Sequence, residues 1–365
     1  MRHPTFNNKK YTLAYIVPYI ASHSNAISVN ISRRKKVLEN LGYIVCLIEQ
    51  KNTHFFSTLR FLWSNKQCLN GIMIRIDGTC MLDKYTILKL ICPGVPLIWE
   101  IHGFPEERLI FTEDIYEKWF VWKNNMKRRF LSYLVDACIF ISNEIQLYAN
   151  EKIHLRKTAI IPNFVQTPIE NHSIGPRHAL SYLLKNNCRV VLWGGSGDLP
   201  WQALDIIQKT ADVMYKLDKH IIFVIVGSNY WHPMKSEANM LLLNPMSPEQ
   251  FLQLVSIAHI CLALYHKPKF FPFYFCPMKI LDYMSMEKAV IATNLGTIPK
   301  LIQNGYNGFL TNNAIKDISA KILLITRDAM LSQKLSRNAK KAVAMHFNHT
   351  VAQKQYSALL QSLSI

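Results

Sequence analysis

The strongest constraint on this chain is a rhythm that runs, stops once and starts again. Through the first half, short apolar runs alternate with amphipathic stretches. YTLAYIVPYI, YIVCLIE, GIMIRID, VPLIWEIHG, DACIFIS and TAIIPNF read as strands, and ISVNISRRKKVLENLG reads as a helix closed by Gly42. From about Gln166 to Asn187 the periodicity is lost in QTPIENHSIGPRHAL, whose prolines, glycine and mixed polar residues suit a linker. The alternation then resumes with RVVLWGG, ALDIIQKTADVMYKLD, HIIFVIVGS, HICLALY and a terminal helical region. Strand and helix in alternation imply crossover connections, hence a parallel sheet with helices on both faces. The expected fold class is α/β, with one domain over residues 1–166, a linker over 167–187 and a second domain over 188–345. Residues 346–365 are expected to form a C-terminal helix packing back on the first domain. At 365 residues the chain exceeds one ordinary core and suffices for two.

Composition narrows the function classes. The eight cysteines form no C-x-x-C pair and no zinc-like cluster, so reduced, mostly buried thiols and a cytoplasmic setting are expected. The basic-then-apolar start MRHPTFNNKKYTLAYIVPYI is broken by Pro18 with no small-residue cleavage site after it, which argues against a signal peptide. Apolar runs such as HIIFVIVG and LICPGVPLIW are too short or proline-broken to span a bilayer. The charge is +18, shared evenly: 22 basic against 13 acidic residues through Val165, and 20 against 11 after it. A globule so charged is drawn to polyanions, an anionic membrane surface being the expected one. No aromatic-basic module of a known nucleic-acid-binding type is present, so no nucleic acid is expected as partner.

Ligands of open parallel sheets bind beyond the carboxyl ends of the strands. That directs attention to HGFPEER, SNE, PNF, GGSGDLPW, GSNY with Gly227, NPM with Pro245, and NLGT. Two domains facing each other would form a cleft lined by these loops. The turn GGSGDLPWQAL, with Gly195, Ser196 and Gln202, has the form of a phosphate-binding turn leading into a helix; taken alone it is equally a tight strand–helix connection. Lys279 and Asp282 share one face of the following helix and, in isolation, read as a surface pair.

The stretch CPMKILDYMSMEKAVIATNLGTIPKLIQNGYNGFL, Cys276 to Leu310, decides between these readings. It resembles the nucleotide-sugar signature of the family 4 glycosyltransferases, which have the GT-B fold of two Rossmann-like domains. Pro277, Lys279, Asp282, Tyr283, Met284, VIAT, LI and NGYNGFL fall in the family's order. FIS, AIIPNF, WEIHG and VVLWGGSGDLPWQALDII extend the likeness over nearly the whole chain. The resemblance implies that the first domain takes the acceptor and the second the nucleotide sugar. It implies that Asp282 binds the ribose hydroxyls, and that the helix begun by Pro277 and Met278 offers N–H groups to the diphosphate with Lys279 beside it. It assigns His102 in EIHG to the transferred sugar as the catalytic residue. Glu100, Gly103 and Glu106, with Glu107 beside it, stand on the acceptor side.

Three positions depart from the family. Tyr274 replaces the carboxylate that faces the donor sugar, and Ser196 and Gln202 replace the Arg and Lys of the first loop in the second domain. The resemblance nevertheless implies a retaining, hexosyltransferase-type enzyme. Its donor would be a nucleoside diphosphate sugar and its acceptor a hydroxyl on a glycan or lipid-linked precursor of lipopolysaccharide, capsule or O-antigen. No cofactor and no metal are expected, since no Asp-x-Asp motif is present. An epimerase of nucleotide sugars and a degenerate, non-catalytic partner-binding protein remain as alternatives. Finally, IYEKWFVWKNNMKRRFLSYLV interleaves Trp119, Phe120, Trp122 and Phe130 with Lys118, Lys123, Lys127, Arg128 and Arg129. This is the composition of an interfacial helix, or of a domain helix with solvated cations. The location so implied is cytoplasmic, peripheral at the inner face of the membrane.

Overall fold

The computed structural model describes residues 11–18, 26–50, 55–78, 81–112, 114–166, 187–197, 199, 201–227 and 239–365. The expected linker therefore lies outside the described residues except for Asn187. Six strands build the first sheet: β1 (Thr12–Pro18), β2 (Ile44–Gln50), β3 (Gly71–Ile76), β4 (Leu97–Ile101), β5 (Ala137–Phe140) and β6 (Lys157–Ile160). Their order is β2-β1-β3-β4-β5-β6, and all neighbours are parallel. β1, β3, β4 and β5 are buried along their whole length, as strands covered on both faces must be. Helix α1 (Ala26–Asn40) stops where its glycine allows: Gly42 takes φ +94°, and its N–H donates to the Glu39 carbonyl at 2.9 Å. The other helices of this half are α2 (Phe55–Ser64), α3 (Leu88–Ile91), α4 (Ile115–Leu131) and α5 (Asn143–Asn150).

The second sheet holds β7 (Arg189–Gly194), β8 (Ile221–Val226), β9 (Met240–Leu243), β10 (Ile260–Ala263), β11 (Ala289–Thr293) and β12 (Phe309–Thr311). It is again all parallel, in the order β12-β11-β10-β7-β8-β9. This is the Rossmann order, which reverses direction between β7 and β10; ligands of such sheets bind past the strand ends at that reversal. Helices α6 (Leu204–Leu217), α7 (Pro248–Ile257), α8 (Met278–Ser285), α9 (Ile298–Leu301), α10 (Ile315–Arg327) and α11 (Ala329–His346) connect the strands, and α12 (His349–Ser362) follows. Val191, Trp193, Ile207, Phe223, Ile291 and Ile322 are among the buried side chains of its core.

The chain divides into two units. Unit 1 comprises Met1–Asn163, Lys269–Cys276 and His349–Ile365; unit 2 comprises Phe164–Pro268 and Pro277–Asn348. Lys269–Cys276, placed by the sequence reading in the second domain, belongs to unit 1. The reason is aromatic packing: the Tyr274 ring is wholly buried, with its centroid 6.4 Å from that of Phe104 and 5.7 Å from that of Tyr148. α12 also belongs to unit 1, where the Tyr356 hydroxyl accepts from Arg34 Nη1 at 2.7 Å and the Tyr43 hydroxyl donates to the Ile365 carbonyl at 3.0 Å. Among the described residues no helix is long and apolar enough to cross a membrane.

Candidate functional site

In unit 2 the loops after β7, β8 and β10 and the start of α8 supply the candidate residues. Pro277 stands one position before the first helical residue, as the N-cap with φ −67° and ψ 112°, and not at the first helical position expected from sequence. It has no capping side-chain oxygen, so the leading N–H groups of α8, starting with that of Met278, lack that partner. At the second helical position, the Lys279 ammonium is buried. Its Nζ lies 4.3 Å from the Trp193 ring centroid and 5.6 Å from that of Tyr265, with no hydrogen-bond partner among the described residues. Burial pulls its pKa down to about 7.

Glycines make room for this arrangement. A Cβ on Gly195 would lie 2.8 Å from Lys279 Nζ and 2.8 Å from the Trp193 ring. Gly227 takes φ +92°, and a Cβ there would meet the Gly195 carbonyl oxygen at 2.6 Å. Tyr265 is held by a closed set of bonds. Its N–H donates to Thr293 Oγ1 at 2.9 Å, the Thr293 hydroxyl donates to Asn313 Oδ1 at 2.7 Å, and Asn313 Nδ2 returns to the Tyr265 carbonyl at 2.9 Å. Trp193 and Tyr265 are functional candidates that the sequence reading missed. Trp193 was visible only as the last apolar residue before GG, and Tyr265 only as the end of a strand.

The other second-domain candidates divide into groups that face outward and groups spent on structure. Ser196 and Pro245 are exposed; Met278 and Asp282 are half-buried. Gln202 is buried, and its Oε1 accepts the Gly197 N–H at 2.8 Å, so it shapes the glycine turn rather than reaching out of it. Tyr283 likewise uses its hydroxyl to accept the Gly194 N–H at 3.0 Å. The NGYNG run is a turn: Asn307 Oδ1 accepts from Gln303 N–H at 2.7 Å and Gly305 takes φ +76°.

Unit 1 holds a buried charged network around β4. Glu100 Oε1 is 2.6 Å from Arg34 Nε and 3.1 Å from His102 Nε2, and the Tyr15 hydroxyl donates to Glu100 Oε2. Asn30 Oδ1 accepts from Arg34 Nε at 3.1 Å and from Arg75 Nη1 at 2.8 Å, and Asn30 Nδ2 donates to Asn163 Oδ1 at 2.7 Å. Burial pushes the Glu100 carboxyl up, but Arg34 and then His102 override it and hold it well below the usual carboxylate range. Burial, then Arg75, pull His102 down to about 4 against the attraction of Glu100, so the imidazole is neutral at pH 7. Glu100 is fully buried. Expected on the acceptor side, it is paired here with Arg34 and faces His102, as a carboxylate on a strand covered on both faces must be paired to be stable.

Glu106, also expected on the acceptor side, is likewise paired. It is buried, its Oε1 receiving Lys152 Nζ at 2.6 Å and Asn125 Nδ2 at 2.8 Å. Gly103 is buried too, its carbonyl accepting from Arg128 Nη1 at 3.1 Å. The Tyr274 hydroxyl donates to Glu107 Oε1 at 2.7 Å and accepts the Phe104 N–H at 3.1 Å. Burial lifts Glu107 to about 8, the Tyr274 bond working against it. Among the described residues no three His, Cys, Asp or Glu side chains converge on a metal-sized site.

Comparison with solved structures matches the whole chain to others of this architecture. A glycosyltransferase from Rickettsia africae ESF-5 superposes with a TM-score of 0.72 at 16% identity, covering 97% of this chain and 99% of that one. Sucrose-phosphate synthase from Thermosynechococcus elongatus gives 0.71 at 13% identity, covering 97% and 99%. Anabaena HepE, in complex with UDP and glucose, gives 0.70 at 14% identity, covering 96% and 100%. At such identities the likeness is one of fold, and the fold is GT-B, built from two Rossmann-like units. No curated protein sequence matches the chain. Residues 199–342, which contain α8 and most of the candidate loops of unit 2, match the family model described as glycosyl transferases group 1.

Proposed function

We propose that the protein transfers a sugar from a nucleoside diphosphate sugar to a hydroxyl acceptor, with unit 2 holding the donor. One observation carries the reading: a buried ammonium, Lys279, without a hydrogen-bond partner among the described residues, at the start of a helix and beside the reversal in strand order. A buried cation lacking an anion is costly, and a diphosphate would supply the anion. The family match over residues 199–342 and the UDP-glucose complex of Anabaena HepE support the donor class.

As the glycosidic bond breaks, negative charge gathers on the departing diphosphate. Lys279 and the leading N–H groups of α8 meet that charge with dipoles and a cation fixed in advance, which lowers the barrier without a metal ion. Asp282, on the same helix face, accepts the ribose hydroxyls. His102 contacts the transferred sugar, with Glu100 fixing its ring from behind. The family likeness favours retention at the anomeric carbon, and an acceptor that is a glycan or lipid-linked precursor of a surface polysaccharide. A second reading rests on Tyr274: where the family has a carboxylate, this chain has a hydroxyl spent on Glu107, as in a protein that binds nucleotide without turning it over.

Nucleotide release from a panel of nucleoside diphosphate sugars, alongside calorimetric binding of the free nucleotides, separates these readings. Transfer predicts release that rises with added acceptor. Binding with no release from any donor would favour the non-catalytic protein, and absence of both would overturn the donor site.

A further inference from the structure

We infer that the outer face of α4 is a docking surface for an anionic lipid bilayer. The inner face of the helix is fixed to unit 1 by packing and by charge. Val121 and Asn124 are buried, Arg128 lies 3.4 Å from Asp83, and its Nη2 donates to the Asp77 carbonyl at 2.6 Å. Lys127 also pairs with Asp83, at 3.0 Å. At the N-terminal end Asp114 caps the helix by accepting the Glu117 N–H, while Arg108 grips Glu117 through two bonds of 2.7 Å and covers the Phe120 ring at 4.3 Å. Two of the five cations and one of the four aromatics singled out in the sequence are thereby used inside unit 1.

What remains forms one stripe. Ile115, Trp119, Trp122 and Phe130 recur at helical spacing and are 77%, 56%, 61% and 66% exposed, and Tyr133 continues the line beyond the helix. Lys118, Lys123 and Arg129 flank them and are exposed, Lys123 lying 5.0 Å over the Trp119 ring. The one acid in α4, Glu117, is already paired with Arg108. Large rings in a row on a helix, with cations alongside and the helix's own acid already paired, match the boundary between headgroups and acyl chains. The rings bury their apolar bodies there while the cations meet anionic headgroups. Single-stranded nucleic acid would engage the cations and stack on the rings, but it would give Ile115 no apolar environment. The surface belongs to unit 1 and the candidate donor residues to unit 2, and the inference does not depend on sugar transfer.

Sedimentation of the full chain with vesicles tests it, using phosphatidylcholine alone and an equimolar mixture with phosphatidylglycerol, at low and high salt. Binding is expected to the anionic vesicles and to weaken with salt. Each cation is worth roughly fivefold, so K118Q/K123Q/R129Q should lose on the order of a hundredfold. W119A/W122A/F130A should lose roughly tenfold or more while keeping its thermal melt and its binding of free nucleotide. As a readout free of variants, tryptophan fluorescence should be quenched by bromine-labelled acyl chains in anionic vesicles alone. Equal sedimentation with both vesicle types, absence of quenching, or indifference to both variants would overturn the proposal. So would a single-stranded RNA that binds more tightly than the vesicles and loses affinity in the aromatic variant.

Discussion

Lys279 is the residue on which the proposed donor site turns, and its titration gives a signed test. Its folded pKa, about 7, lies below its unfolded value, so the unfolded chain binds the proton more tightly and stability from this group falls as pH drops from about 10 toward 7. A bound diphosphate reverses the preference. At pH 8 nucleotide binding should therefore take up close to one proton, and at pH 6 almost none, as calorimetry in two buffers of different ionisation heat would show. Absence of uptake at pH 8 would remove Lys279 from the site. Asp282→Asn should cost a charged hydrogen bond, ~1.5–3 kcal/mol or roughly ten- to a hundredfold in nucleotide affinity, with the fold intact. His102→Ala should lower turnover far more than nucleotide affinity. Because His102 stays neutral down to about pH 4, the turnover profile should carry no histidine limb near pH 6.5. A limb there that vanishes in His102→Ala would contradict this neutral form.

At the scale of elements, α1, β3, β4 and α12 of unit 1 are joined by Arg34, Arg75, Glu100 and Tyr356. Removing one member leaves a buried charge unpaired, so Glu100→Ala or Arg34→Ala should each destabilise by about 3–5 kcal/mol. Denaturant melts of the two single variants and the double variant would check it: the double should be far less damaging than the sum of the singles. Simple addition would mean that the pair does not act as a unit. The elements were legible in the sequence because a buried strand or an amphipathic helix is written within a dozen residues. The network was not: in the sequence Arg34 is one of four cations in a row, and Glu100 was expected on the acceptor side. Only the parallel register of β3 and β4, which sets Arg75 beside Glu100, shows that both strands carry inward charge.

For the whole molecule, the division into units makes a testable claim about fragments. Residues 188–345, the second domain expected from sequence, include Phe271, Phe273 and Tyr274, all buried in unit 1. Cut out alone, this fragment would expose three large aromatics, each costing ~1.5–3 kcal/mol relative to burial. It should bind hydrophobic dye and aggregate, as fluorescence and size-exclusion chromatography would report. A monodisperse fragment without dye binding would contradict the assignment of Lys269–Cys276. Ending the chain at residue 348 should likewise destabilise unit 1, since α12 supplies Tyr356 to Arg34.

The sequence by itself determined the two tandem α/β repeats, the helix that begins beside Pro277, and the placement of Lys279 and Asp282 on one face of it. Each of these is encoded locally, by hydrophobic period, by glycine and proline at turns, and by spacing along a helix. The tertiary structure alone decided which charges are spent and which are left over. It buried Lys279 against Trp193 and Tyr265, set Glu100 behind His102, drew Tyr274 into unit 1, and turned Arg128 inward while leaving Trp119 and Trp122 in solvent. The physical reason is that pairing and desolvation depend on residues distant in sequence, and no local pattern records which of them the fold will bring together.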